Sequence, residues 1–122
     1  VKIKKIRIKS RQEADRDIRS IARALDQGKS VKPVKGEFFE SLDAVRSVLT
    51  NKRLELWRTI RDQKPDSISL LAELVNRSFR GVYRDVKLLE LLGLVSLQKT
   101  KGERGDRQHP VSLADELLLA VA

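Results

Sequence analysis

Residues 67–93 read SISLLAELVNRSFRGVYRDVKLLELLG, and the fold turns on this stretch. Ile68, Leu71, Ala72 and Val75 recur at helical spacing, which predicts a helix from about 67 to 75. Asn76-Arg77-Ser78 make a turn, and a longer helix follows over about 79–92, closed by Gly93. Ala72 is small where two helices would touch. Asn76 is the non-glycine residue that best accepts a left-handed backbone. Ser78 is placed to cap the second helix, and Val82 is its inward anchor. A three-residue turn is the length a helix–turn–helix uses.

The second helix separates into faces. Val82, Val86 and Leu89, spaced four and three, point to the core. Arg80, Tyr83, Arg84 and Lys87 lie on another face, with Gly81 beside them and Arg77 and Ser78 at the helix entrance. A helix fits the major groove of DNA, and an arginine fork matches guanine O6 and N7. These seven residues are the expected DNA contacts of a recognition helix. Asp85 projects beside the core stripe among basic groups, so it is expected to pair with Arg53 or Lys52.

Towards the C-terminus, residues 94–100 alternate and read as a strand. Residues 101–106 hold two glycines and read as a hairpin tip, with 107–111 returning as the second strand. This hairpin, 95–111, carries Lys99, Lys101, Arg104 and Arg107, diluted by Glu103 and Asp106. A basic hairpin behind a recognition helix is the wing of a winged helix, which tracks the phosphate backbone. Gly102-x-x-Gly105 is read as a turn, and His109 as structural or solvent-facing. The last block, SLADELLLAVA, fits a strand better than a helix capped by Ser112.

Towards the N-terminus, Thr50 caps a helix over about 51–63, Ser41 caps a shorter one, and Phe38-Phe39 form a short strand. Residues 29–36, with Pro33 and Gly36, are a connector. Residues 1–9, VKIKKIRIK, read as a strand whose alternation slips at Lys4–Lys5, as a bulge there would make it. Ser10 and Glu13 have capping-box spacing, and Ala14, Ile18, Ile21, Ala22 and Leu25 form one apolar stripe ending near Gly28. The expected fold is mainly α with small β: a winged helix–turn–helix domain over 37–122, preceded by a basic strand–helix interaction segment over 1–36. The domain is expected to close its own core, leaving Ala14, Ile18, Ile21 and Leu25 to pack against a second copy or a partner.

Charge agrees with this division. The 122 residues carry a formal charge of +9. Residues 1–36 hold 12 basic and 4 acidic side chains, a net +8, against zero for 37–66 and +1 for 67–122. Such a balance favours nucleic acid or an acidic protein. The chain has no cysteine and one histidine, which excludes disulfides, thiolate zinc sites and multi-histidine metal sites. No phosphate-binding glycine loop or paired catalytic carboxylates appear, so neither an enzyme nor a cofactor is expected. No apolar run approaches the ~20 residues of a membrane span, and the charged N-terminus lacks a signal stretch, so a cytoplasmic protein is expected.

Residues 39–42 (FESL), 50–56 (TNKRLEL), 67–74 (SISLLAEL), 82–86 (VYRDV) and 89–95 (LELLGLV) together resemble the predicted MarR/ArsR-like winged-helix transcriptional regulators. The resemblance covers about half of the chain. It implies sequence-specific binding of double-stranded DNA, usually as a homodimer without a cofactor, by a repressor that acts at its own or a nearby promoter. It makes Arg80, Gly81, Tyr83, Arg84 and Lys87 the recognition residues. The sequence departs from the usual pattern at Asn76, where glycine is common, and at Gly81 and Tyr83, where small polar residues are common, so no base preference carries over. The N-terminal strand, helix and connector are similar to a subgroup that includes antitoxins of two-gene modules. That implies an alternative: a module that neutralises an acidic toxin partner through residues 1–28.

Overall fold

Hydroxyl caps set four helix starts. In the computed structural model, which describes residues 1–8, 11–28, 38–39, 41–102 and 105–121, Ser41 precedes α2 (Leu42–Val48) and Thr50 precedes α3 (Asn51–Gln63). Ser67 precedes α4 (Ile68–Leu74) and Ser78 precedes α5 (Phe79–Leu91). Each side-chain oxygen accepts the N–H three residues on, at 3.1–3.3 Å. A cap of this kind is worth about 1 kcal/mol. α1 (Arg11–Asp26) comes before these, and the Ser10 cap predicted for it lies outside the described residues.

Two helices end alike. After α4, Asn76 turns to φ 53°, its N–H meets Glu73 O at 3.1 Å, and Arg77 N–H reaches back to Ala72 O at 3.0 Å. After α5, Gly93 turns to φ 74°, with bonds from Gly93 to Glu90 O and from Leu94 to Leu89 O, both 3.0 Å. This pairing satisfies the last carbonyls of a helix and needs a left-handed residue at its corner. Asparagine fills that corner between α4 and α5 and so aims α5 away from α4.

The chain is mixed α/β, with five helices and five strands among the described residues. β1 (Ile3–Ile8) lies between β2 (Phe38–Phe39) and β5 (Glu116–Val121), parallel to both. The β1–β5 register runs unbroken from Ile3↔Glu116 to Ile8↔Val121, so β1 has no bulge at Lys4–Lys5. Lys2 N–H donates to the Asp115 carboxylate at 2.9 Å, and Asp115 N–H returns to Lys2 O at 2.8 Å, closing the sheet at its start. β3 (Val95–Gly102) and β4 (Gly105–Ser112) form a separate antiparallel hairpin. Its ladder continues through Lys101↔Asp106 and Gly102↔Gly105. Most of the stretch predicted as the tip is therefore strand, and residues 103–104 lie outside the described residues.

One core joins these parts. Ile6 and Ile8 of β1 are buried with Val45, Trp57, Leu71, Val86, Leu94 and their neighbours. Trp57 Nε1 donates to Ser112 Oγ at 3.0 Å, tying α3 to the foot of the hairpin. This corrects two expectations. β1 belongs to the core that residues 37–122 were expected to close alone, so a boundary at 36 does not set it apart. The β share also exceeds a small component, because both terminal strands pair with each other. No helix is long and apolar enough to cross a membrane, among the described residues.

Candidate nucleic-acid interface

α5 buries Val82, Val86 and Leu89 and turns Arg80, Arg84 and Lys87 outward. Tyr83 is half-buried between the two faces. Arg80 and Arg84 are exposed one turn apart, so two guanidinium groups stand in one row. Lys87 Nζ meets Glu90 Oε1 at 3.1 Å, and that hydrogen bond raises the ammonium pKa. These four expected contacts share one side of the helix.

Three other expected contacts have internal work. Ser78 Oγ is engaged as the α5 cap. Gly81 follows it so closely that an added Cβ would meet Ser78 Oγ at 3.1 Å and Arg77 Nη2 at 3.6 Å. The missing side chain therefore makes room for the cap, whatever else approaches the helix. Arg77 turns inward: its Nη2 donates to Asp85 Oδ2 at 2.7 Å. Its Nη1 is buried without a hydrogen-bond partner among the described residues.

Asp85 is the centre of that arrangement. Arg53 Nε donates to Asp85 Oδ1 at 3.1 Å, the pairing predicted from the sequence, and Arg77 is a second partner that was not. Burial pushes the Asp85 carboxyl up, but hydrogen bonds from Arg77 and Arg53, with their charges, outweigh it and hold the pKa below the ordinary value. Arg53 Nη1 also donates to Val48 O at 2.8 Å. The group thus links the end of α2, the start of α3, the α4–α5 turn and α5 itself.

The hairpin exposes Lys99, Lys101 and Arg107. In the ladder Lys99 faces Gln108 and Lys101 faces Asp106, whereas Arg107 faces Thr100. Side chains alternate along a strand, so the two lysines share one face and Arg107 takes the other. Arg104 lies outside the described residues. His109 Nδ1 lies 3.2 Å from Asp66 O, a structural contact between β4 and the α3–α4 connection.

Between α4, the start of α5 and the hairpin lies a cleft of about 700 Å³, lined by Asp66, Leu70, Glu73, Phe79, Tyr83, Lys99, Arg107 and others. Phe79, which the sequence reading did not single out, is 53% exposed there. Its spacing from Val82 and Val86 matches the core stripe, so periodicity hides it; the i, i+4 pairing with Tyr83 is the signal that could have marked it. In α1, Leu25 is 62% exposed, while the side chains of Ala14, Ile18 and Ile21 lie outside the described residues.

The HVO_A0114 family model matches residues 48–118, more than half of the chain. The match runs from the end of α2 into β5 and takes in the α4–α5 pair and the hairpin. No curated protein matches the chain.

Proposed function

The chain belongs to the HVO_A0114 family, and we propose that it is a sequence-specific DNA-binding transcriptional regulator of winged helix–turn–helix type. α4, the Asn76–Ser78 turn and α5 act as the helix–turn–helix, and β3–β4 acts as the wing. The observation that carries this reading is the outward row of Arg80, Arg84 and Lys87 on α5, a helix anchored by the Asp85 ion group, with the hairpin cations Lys99 and Arg107 in the cleft that Phe79 and Tyr83 of the same helix line. α5 enters the major groove, where Arg80 and Arg84 reach base edges or phosphates. Lys99, Lys101 and Arg107 neutralise phosphates and supply much of the affinity. The likeness of residues 39–95 to MarR/ArsR-like regulators supports the same assignment. The regulator works as a repressor at its own or a nearby promoter, and as a homodimer, since two copies read two half-sites.

Gel-shift titration on the upstream region of the gene tests this. Arg84→Ala is expected to weaken specific binding by roughly 1–3 kcal/mol with unchanged melting, because the side chain is exposed. Unchanged affinity in a protein of wild-type stability would remove α5 from the interface.

A second reading is favoured by α1. Arg16, Arg19 and Arg23 are exposed at spacings of three and four on one helix face. That row suits an acidic protein, such as the toxin of a two-gene module. Co-purification with the product of the adjoining reading frame, abolished by replacing all three arginines with alanine, would support it. Co-purification that is indifferent to the arginines would remove it.

A further inference from the structure

Phe79 is the one large apolar side chain at the entrance of α5 that neither the core nor the cationic contacts use. It is the first residue of the helix, directly after the Ser78 cap. Its ring lies against Tyr83, with centroids 6.0 Å apart and planes 16° from parallel. The stack holds the ring in place while more than half of the residue stays in water. Leaving aromatic surface exposed forgoes about 25 cal/mol for each Å² that burial would remove from water. The fold gains nothing visible in return.

The surroundings of the ring define what it can meet. Arg80 and Arg84 follow on α5, and Lys99 and Arg107 form the hairpin wall of the same cleft. Asp66 and Glu73 stand on the α4 side. The ring thus has cations on its hairpin side, and the exposed Arg80 and Arg84 follow it on α5; that side fits a polyanion that carries an apolar group. In the major groove each base-pair edge presents donors and acceptors, and the only apolar substituent is the 5-methyl group of thymine. Residues at the N-terminal end of a recognition helix are the ones that reach base edges. Against adenine N6, cytosine N4 or guanine O6 the ring would bury a polar group without a partner, which is unfavourable. Against a phosphate it would contribute nothing.

We infer that Phe79, backed by Tyr83, selects a thymine in each half-site by packing on its methyl group. This rests on the reading of α5 as the groove-entering helix and adds the base that one residue specifies.

The test uses the full chain and duplexes selected from a random-sequence pool. One position per half-site is expected to be thymine. Replacing that thymine with uracil removes the methyl and leaves every hydrogen-bonding group. The wild type is expected to bind the uracil duplex about 3–5-fold more weakly, the loss of roughly one buried methyl. Phe79→Ala is expected to bind the thymine and uracil duplexes alike, and Phe79→Leu to keep part of the difference. Equal wild-type affinity for the two duplexes at every thymine would overturn the proposal while leaving α5 as a DNA-reading helix. So would an undiminished difference in Phe79→Ala. If Phe79→Ala fails to fold, equal wild-type affinities still overturn the proposal, and Phe79→Leu supplies the variant arm, where an undiminished difference would also overturn it. If the pool yields no bound duplex, the parent reading fails and this inference with it.

Discussion

Asp85 shows how one buried carboxylate organises a surface it never reaches. It is 8% exposed and receives a guanidinium from α3 and another from the α4–α5 turn. Its position beside the core stripe made a basic partner necessary, and Arg53 was legible because it starts the preceding long helix. Sequence alone makes Arg77 an expected DNA contact, because it shows a cation at the helix entrance and not the direction of its side chain. With its pKa held down, Asp85 contributes stability that is present above the unfolded value of about 3.9 and is lost as pH falls through the lower folded value. Asp85→Asn is therefore expected to flatten the acid side of the stability curve. Urea denaturation between neutral pH and pH 3 measures this, and parallel curves for the two proteins would contradict it. Near neutral pH the substitution is expected to cost about 2–3 kcal/mol, below the full cost of breaking a buried pair, since the two arginine side chains keep 24% and 27% of their surface in water. Gly81 and Ser78 carry the same lesson: residues counted as contacts also shape the helix start.

α5 is nearly complete in the sequence, because a cap at Ser78, a stripe at Val82, Val86 and Leu89 and a stop at Gly93 follow in order along one stretch. The hairpin was less so. Its strands were found, but the ladder's extension through Lys101↔Asp106 depends on register, which a glycine-rich stretch leaves open. Replacing Lys99 and Lys101 together is expected to flatten the slope of log K against log salt by up to about 2 per subunit. Titrations from dilute to physiological salt measure the slope, and an unchanged slope would exclude the hairpin from the phosphate track. β5 poses a different question. Among the described residues it is an edge strand of its sheet, and Leu118, Leu119 and Val121 are exposed on it. An apolar edge guarded by few charges invites pairing, which makes β5 the edge to test first for the proposed homodimer. Leu118→Lys, at a 51% exposed position, is expected to leave folding intact and shift sedimentation towards the monomer. A dimer that persists would place the contact elsewhere, with α1 the next candidate.

The two ends of the chain meet in one sheet, and this decides what can be removed. β1 pairs with β5 along six residues and places Ile6 and Ile8 in the common core. Ile6→Ala is expected to cost roughly 2–5 kcal/mol, and deletion of residues 1–8 to abolish the cooperative melt. A truncated chain that still melts cooperatively would show that the remainder closes its own core. Helix starts at Ser41, Thr50 and Ser78, the left-handed turn at Asn76, the basic face of α5 and the Arg53–Asp85 pair could all be read from residue order. Each depends on groups a few positions apart, or on a charge that burial obliges to find a partner. The pairing of β1 with β5, the inward turn of Arg77 and the exposure of Phe79 could not. An alternating strand looks the same beside any neighbour, a long cation reaches in several directions, and an apolar residue on a helix stripe is buried only where the packed body extends far enough to cover it. Those outcomes follow from contacts between residues distant in the chain, so they appear only when the chain is closed on itself.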